Sequence, residues 1–449
     1  MMLNNSKNRE ILRLAIPSII SNVTVPLLGL VDLSIVGHIG NEDYISAIAV
    51  GSMIFNVMYW LLGFLRMGTS GMTSQAFGRE DTVECIRILV RSLTIGLAFG
   101  LLFILTQGGL EWGLLRLMNT PEASWEYVTI YFQIVIWGAP AMLGLYSLTG
   151  WFIGMQDTRT PMVVAILQNL VNILASLSLV FVLGWGIAGV AAGTLLAQWI
   201  GFLVALLGAW KRIHKVNGLQ NKQGLATETW SRLVRVLSVK AAWINFFLVN
   251  KDIFLRTLCL IVVNFYFTSV GGKQGAMMLA VNTLLMTLFT IFSYVMDGFA
   301  YAGEALSGKY YGAGDKQGLH ATVRNLFQFG FLMAVVFMGI YMIGGTGFLH
   351  LLTDDNTVVE AARPYLPWAC FIPVVGVTAF ILDGVFIGLT DTKGMLFSTV
   401  MAMVLFFIVY FVFRDWLANY ALWLAFLSFL LMRGAASMLW MHFFSTIDV

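Results

Sequence analysis

One acidic residue lies inside a long apolar stretch near the start of the chain. No charged side chain occurs between Leu14 and Val31, and apolar residues resume directly after Asp32. At about 1.5 Å per residue, Arg13 and Asp32 would lie ~28 Å apart along a helix, nearly the thickness of a bilayer's hydrocarbon core. A carboxylate at that depth costs about 2.5–3.5 kcal/mol to insert and is functional by default.

Because desolvation favours the protonated form of a carboxyl group, Asp32 could load and release a proton, which is the chemistry of ion-driven transport. The alternative is a structural Asp held by a neighbouring hydroxyl.

Several polar side chains in other predicted spans are candidate partners for this carboxyl group. They lie in the fourth, fifth and sixth apolar segments and are Tyr131, Asn169, Asn172 and Thr194. Each could donate a hydrogen bond to Asp32, and each could instead donate to a backbone carbonyl nearby. The sequence leaves both possibilities open.

Two prolines, Pro17 and Pro26, precede Asp32 in the same segment. A proline lacks the N–H that the helical hydrogen-bond ladder needs, and its ring displaces the preceding turn. We therefore expect the first helix to bend at these residues.

The composition is that of a polytopic membrane protein. Of the 449 residues, 59% are hydrophobic and only 11% are charged, unlike any ordinary soluble domain. The three cysteines lack the spacing of a disulfide framework or a zinc site. The net charge of +3 gives no sign of a nucleic-acid partner. Because no P-loop, nucleophile elbow or HExxH motif is found, we expect no enzyme activity, no metal and no cofactor.

The apolar runs predict twelve transmembrane helices, and the basic residues orient them. With the N-terminus inside, 19 of the 26 Lys and Arg residues, Arg433 among them, fall on the cytoplasmic side. Four fall outside and three lie within spans. This bias follows the positive-inside rule. It predicts a multi-pass protein of the plasma membrane, the inner membrane of a bacterium, with both termini cytoplasmic.

An internal repeat divides the chain into halves. Phe152–Thr158 recurs as Phe386–Thr392, with five identities in seven at an offset of 234, and the same offset carries Gly78 onto Gly312. Six spans, an even number, separate equivalent points, so the two halves have the same orientation in the membrane. We predict an all-α protein of two parallel six-helix repeats, divided into an N-lobe (1–210, helices 1–6), a cytoplasmic linker (211–235) and a C-lobe (236–449, helices 7–12).

The second half carries charged residues of its own in or near apolar spans. They are Lys251, Asp252, Arg256, Asp297, Glu304 and Asp383. Opposite charges in lipid should pair, so we interpret this group as a salt-bridge network. A second ion or substrate site is the alternative.

Six phrases of the sequence resemble the multidrug and toxic compound extrusion (MATE) family, in particular its DinF-like branch. They are VDLSIVGHIG (31–40), FLRMGTSGMTSQAFG (64–78), GWFIGMQDTRTP (150–161), NKDIFLRTL (250–258), MDGFAYAGEALSGKYYGAGD (296–315) and LDGVFIGLTDT (382–392). The resemblance implies a V-shaped, two-lobe antiporter of twelve helices that exports organic, often cationic compounds in exchange for protons or sodium. It also implies roles for individual residues: Asp32 as the coupling residue, a polar network of Tyr131, Asn172 and Thr194, and a first-helix bend at Pro17. We further expect small organic substrates and membrane lipids as partners, and a monomer.

At one position the sequence departs from that pattern. The branch often has a second acid in helix five, one turn after the asparagine, where this chain has Ser176. Because sodium prefers several hard oxygen ligands, a single titrating Asp32 favours protons over sodium. A lipid-linked oligosaccharide flippase of the same export superfamily is the alternative within transport, and it would be expected to line its central cleft with cationic residues. A membrane-embedded enzyme is a more distant alternative, and it would need clustered catalytic groups near one interface.

Overall fold

The computed structural model describes residues 6–37, 42–117, 124–220 and 240–443. Within these ranges the side chains of residues 25–31, 33, 42, 216–220 and 241 lie outside the description. Every regular element in the described ranges is a helix.

The described residues of the first half form nine α-helices. They are α1 (Ser6–Gly37), α2 (Glu42–Leu61), α3 (Phe64–Gly78), α4 (Thr82–Leu105), α5 (Gln107–Leu117), α6 (Trp125–Val135), α7 (Ala139–Gly154), α8 (Arg159–Leu177) and α9 (Gly186–Gln220). A 3-10 turn, Ile136–Gly138, joins α6 to α7, and one π-helical turn, Ser178–Val182, extends α8.

Between residues 240 and 443, the second half forms seven more. They are α10 (Lys240–Lys273), α11 (Ala276–Gly312), α12 (Lys316–Leu352), α13 (Asn356–Ala362), α14 (Leu366–Leu389), α15 (Thr392–Leu417) and α16 (Asn419–Phe443). The 3-10 turn Arg363–Tyr365 joins α13 to α14.

The helices are long and apolar enough to cross a membrane. Eleven segments between Asp43 and Phe443 meet this description, because α2 with α3, α6 with α7 and α13 with α14 each form one continuous segment. Helix α1, with 32 residues, adds a twelfth helix of spanning length. The prediction of an all-α, polytopic membrane protein is confirmed.

Close helix packing repeats at the offset found in the sequence. In the first half α7 lies against α3, where a Cβ at Gly154 would fall 2.8 Å from the carbonyl oxygen of Ser70. In the second half α14 lies against α11, where a Cβ at Gly388 would fall 2.6 Å from the carbonyl oxygen of Glu304. Both positions and both neighbours differ by 234 residues. Each glycine is the second of a GxxxG pair, which lets two helix backbones approach closely.

Four short turns share one geometry, and each of the two in the first half recurs 234 residues later in the second half. In each, an aspartate N–H donates to the carbonyl five residues earlier, at 2.8–3.0 Å, and the aspartate follows a residue with positive φ. The four aspartates are Asp81, Asp157, Asp315 and Asp391, each preceded by glycine three residues earlier. Each carboxylate then accepts a backbone N–H of the next helix, three residues on. The local repeat therefore extends beyond the segment recognised in the sequence.

The contacts within the chain define two compact units. Among the described residues, the N-unit holds 20–250, and the C-unit holds 6–19 together with 251–443. The predicted lobes were instead separated at residues 211–235, most of which lie outside the described residues. The difference arises at two helices, because α1 begins in the C-unit and α10 begins in the N-unit. Apolar runs show where a helix lies but not which neighbours it packs against.

Candidate functional site

Asp32 lies on α1 in the N-unit with only 4% of its surface exposed. The side chain of Asn172, on α8, lies beside its carboxyl group. The Asn172 amide nitrogen donates to Thr194 Oγ1 on α9 at 3.0 Å. Asp32 Oδ1 and Asn172 Oδ1 are both buried and have no hydrogen-bond partner among the described residues. Two buried acceptors without a donor are costly, and protonation of Asp32 would remove the charge from the carboxyl group.

Tyr131 completes one side of this site. It lies on α6 with 3% exposure, close enough to Asp32 for an electrostatic interaction, and it shares hydrogen bonds with Ser52 and Thr194. Gly51 lies directly beneath the ring, where a Cβ would fall 2.5 Å from Tyr131 Cδ1. The polar group around Asp32 therefore draws on α2, α6, α8 and α9.

The contacts shown for two other predicted network residues are with neighbouring helices. Asn169 Nδ2 donates to the carbonyl of Thr24 on α1 at 2.8 Å, which attaches α8 to α1 about two turns before Asp32. Ser176 is fully buried and packs against α9, where a side chain at Gly193 would overlap its hydroxyl. Three predicted residues, Tyr131, Asn172 and Thr194, thus meet near Asp32, while Asn169 and Ser176 contact the neighbouring helices.

The predicted bend of the first helix remains a prediction. Helix α1 is assigned as one helix from Ser6 to Gly37, with Pro17 buried in it. The side chain of Pro26 lies outside the described residues. Ser18 Oγ donates to the carbonyl of Leu14 at 2.9 Å, a back-bond of the type that often accompanies helix bending.

In the C-unit, three buried charged residues on three helices form one cluster. Asp383 on α14 accepts hydrogen bonds from Arg256 on α10 and from Arg433 on α16. Their exposed fractions are 7%, 6% and 5% respectively. Asp297 acts on Arg433 electrostatically. Arg433, which the sequence places with the cytoplasmic residues, is a buried partner of Asp383. Counting basic residues by position gives no information about their partners.

The remaining predicted charges of the C-unit lie apart from that cluster. Asp252 accepts a hydrogen bond from Thr392 at 3.1 Å and pairs with Lys251 at 3.5 Å. The Lys251 side chain is 60% exposed. Glu304 is 1% exposed on α11, two turns beyond Asp297. Within the ranges described, no three His, Cys, Asp or Glu side chains group as metal ligands would.

Sequence reasoning missed Ser52, Gly51 and Arg433. Gly51 and Ser52 are two adjacent small residues in the apolar second span. They are a weak signal of a functional site, because small residues in such spans often serve only helix packing. Arg433 follows a long uncharged run in the last span. A single charged residue in an otherwise uncharged span, like Asp32 in the first span, is a stronger signal of a functional site than the pair Gly51 and Ser52.

Twelve helices of spanning length, with buried carboxyl groups in both units, define a multi-pass membrane transporter. A protein-family model described as MatE matches residues 17–177 and 253–412, more than half of the chain. The chain belongs to the MatE family, whose members are transporters and not enzymes. A second model, described as Lipid II flippase MurJ, matches residues 121–264, which is less than half of the chain.

Individual proteins agree with this assignment. "DNA damage-inducible protein F" of Escherichia coli (strain K12) is 35% identical over 96% of this chain and 91% of its own length. "Probable multidrug resistance protein NorM" of Thermotoga maritima is 24% identical over 83% of this chain and 77% of its own length. The resemblance to the MATE family and its DinF-like branch is confirmed.

Solved structures show the same fold. "Crystal structure of MATE in the bent conformation" matches with a TM-score of 0.85 at 19% identity, over 98% of this chain and 95% of the other. "Outward-facing conformation of a multidrug resistance MATE family transporter of the MOP superfamily" matches with a TM-score of 0.84 at 18% identity, over 98% and 96%. At these identities the likeness is one of fold.

Proposed function

We propose that this protein is a secondary active multidrug exporter that exchanges organic cations or amphipathic compounds for protons at Asp32. The observation that carries the proposal is the Asp32 site, where a buried carboxyl oxygen faces no donor among the described residues. The protein would work in a bacterial plasma membrane, as a monomer with cytoplasmic termini. It would be driven by the proton gradient and need no cofactor.

The exchange follows from the charge of one carboxyl group. When Asp32 is protonated, the buried site is neutral. When Asp32 is ionised, a buried negative charge needs a compensating cation. A proton and an organic cation can each neutralise it, but not both at once. Binding one therefore favours release of the other.

The oxygen atoms at this site favour a proton over sodium. Sodium binding would be assisted by a second carboxylate, and Ser176 stands where the resemblance would place one. The Ser176 hydroxyl lies beside Gly193 on α9. Asp32 therefore titrates without an acidic neighbour from α8.

The C-unit cluster is a poorer candidate for proton coupling. Asp383 accepts from two guanidinium groups that are both more than nine-tenths buried. Protonating it would leave two cations unpaired in a low-dielectric interior, at a cost of several kcal/mol or more. We therefore assign Asp383 a structural role and place coupling on Asp32.

The test is efflux of ethidium, a fluorescent organic cation, from proteoliposomes under separately imposed gradients. We expect an imposed proton gradient to drive efflux and a sodium gradient at uniform pH to have no effect. The Asp32→Asn variant mimics the protonated acid, so it should insert and fold normally yet lose at least tenfold in gradient-driven rate. The control is Asp415→Asn, which neutralises an acid whose side chain is 75% exposed. Full activity of Asp32→Asn, or efflux driven by sodium alone, would contradict the proposal.

The match of residues 121–264 to a flippase model supports one second candidate, transport of a lipid-linked oligosaccharide. Binding a lipid pyrophosphate would need cationic side chains that are free to receive it. In the C-unit the buried Arg256 and Arg433 are already engaged by Asp383. Proteoliposomes containing a fluorescent lipid-linked sugar would distinguish the two candidate functions. An exporter of cations should leave the distribution of the lipid-linked sugar between the two leaflets unchanged.

A further inference from the structure

A groove lies on the N-unit between the first turns of α8 and the second half of α9. Its volume is about 370 Å³, within the ~300–1,000 Å³ typical of small-molecule sites. The side chains along it are mostly apolar, with Val163 on α8 and Val204 and Leu207 on α9. Val163 and Leu207 are 55% and 53% exposed. On helices that span a membrane, such a groove opens toward lipid.

Two basic residues, Arg159 and Lys211, lie at one end of the groove. Both are exposed, and neither has an ion-pair partner in the part of the chain that is described. The neighbouring Arg212 differs, because it bonds Asp157 Oδ2 at 2.8 Å and the carbonyl of Met155 at 2.9 Å. Among the described residues, the groove end therefore carries two positive charges that form no ion pair.

The basic end of the groove lies where the positive-inside rule places the cytoplasmic surface. Arg159 begins α8, and Lys211 follows the last long apolar run of α9. Trp210, beside Lys211, is 59% exposed and contacts the ring of His214, with 5.3 Å between centroids. Exposed tryptophans are typical of the headgroup level of a bilayer. The basic end of the groove thus matches the anionic headgroup of a phospholipid, and its apolar length matches an acyl chain.

We propose that this groove binds one anionic phospholipid of the cytoplasmic leaflet. Its phosphate lies between Arg159 and Lys211, and an acyl chain follows Val163, Val204 and Leu207. Basic pockets between transmembrane helices on the cytoplasmic side recognise anionic headgroups in this way. The lipid would hold α8 against α9, the two helices that bring Asn172 and Thr194 together at 3.0 Å. This assignment does not depend on which substrate the protein exports.

The experiment measures lipid binding to the detergent-solubilised protein by native mass spectrometry and by thermal unfolding. The probes are dioleoylphosphatidylglycerol, the zwitterionic dioleoylphosphatidylcholine and soluble glycerol phosphate. We expect phosphatidylglycerol alone to be retained and to raise the melting temperature. Each basic side chain near an anionic headgroup contributes roughly fivefold in affinity. The Arg159→Gln/Lys211→Gln variant should therefore bind phosphatidylglycerol about 30-fold more weakly.

Two further variants keep the result interpretable. Gly208→Leu fills the groove without changing charge, and its Cβ would meet the nearest atoms at an ordinary 3.4 Å, so it should fold and also lose the lipid. Lys316→Gln/Arg324→Gln removes two exposed charges from the C-unit and should bind like the wild type. Equal retention of both phospholipids would overturn the proposal. So would unchanged binding by both groove variants, or an equal melting shift with glycerol phosphate, which would indicate a site for soluble phosphate.

Discussion

At the scale of single residues, the C-unit shows how a charged cluster can be structural. Asp383 is the common acceptor for Arg256 and Arg433, and all three side chains are almost fully buried. The three residues come from α14, α10 and α16, so the cluster joins helices that are distant in sequence. Removing one member of a buried ion pair is far more destabilising than replacing the whole pair by apolar groups.

Asp383→Asn should therefore destabilise the protein strongly. The substitution removes the carboxylate that accepts from both buried guanidinium groups, for which we expect a loss of about 3–5 kcal/mol. Thermal unfolding in detergent is the measurement. The control is Asp415→Asn, at an exposed acid, which should change the melting temperature little. If both variants melt together, the cluster contributes no stability and our structural assignment is wrong.

The acids of the polar sites and three neighbours of Asp32 could be predicted from the sequence, but Ser52 and Gly51 could not. An aspartate in an uncharged run of spanning length is costly wherever it lies, which is why Asp32 was found. Its neighbours come from helices far apart in the chain. Ser52 joins the network only because Gly51 lets the Tyr131 ring pack directly against α2. That contact depends on tertiary packing, which no local pattern encodes.

At the scale of secondary structure elements, four aspartate turns set the ends of eight helices. Each turn closes one helix with a residue of positive φ and begins the next with a carboxylate cap. In both halves the last helix also binds the second of these turns, through Arg212 at Asp157 and through Trp440 at Asp391. The partner differs in chemistry, while the bonded oxygen, Oδ2, is the same.

These turns predict a stabilising substitution. Glu80 has a φ of 58° and is exposed, a conformation that costs a non-glycine residue about 1–2 kcal/mol. Glycine avoids this strain, but its chain loses more conformational entropy on folding, which costs ~0.5–1 kcal/mol. Glu80→Gly should therefore stabilise the protein by a few tenths to about 1 kcal/mol, measured as a rise in melting temperature.

The equivalent turn supplies the reverse experiment. Gly314 lies 234 residues further on with a φ of 70°, and a Cβ there would meet nothing within 4 Å. Gly314→Glu introduces only the backbone strain, so it should lower the melting temperature. Shifts of the same sign for the two variants would show that backbone conformation at these turns does not limit stability.

The sequence revealed the repeat at these turns but not their geometry. The segment Phe152–Thr158 was found because five of seven residues are identical to its copy, and Gly78 was matched to Gly312 at the same offset. The turns at Asp81 and Asp315 share mainly a glycine and an aspartate three residues apart. Their common geometry depends on backbone hydrogen bonds that tolerate any side chain at the intervening positions, so identity alone could not predict it.

At the scale of the whole molecule, helix α1 belongs to both compact units. Its first turns lie in the C-unit, where Glu10 accepts a hydrogen bond from Tyr310 at 2.6 Å and Asn8 accepts one from Asn325 at 2.7 Å. Its later turns lie in the N-unit with Asp32. The number of spans and the repeat could be predicted from apolar runs and a shared offset. The division of α1 could not, since it depends on which helices its two ends contact.

The central claim is that Asp32 exchanges a proton for substrate, and proton release on binding tests it most directly. Ethidium would be added to the detergent-solubilised protein in a weakly buffered, sodium-free solution near pH 7, with a pH indicator dye recording the protons released. Reciprocal linkage requires that a substrate which displaces the proton also releases it into solution. Protein-free detergent gives the background.

We predict release of up to one proton per ethidium bound by the wild type and the Asp415→Asn control. The Asp32→Asn variant, which has no titrating group at that position, should release none. Proton release by Asp32→Asn equal to that of the wild type, or ethidium binding by the wild type without any release, would contradict the assignment of coupling to Asp32.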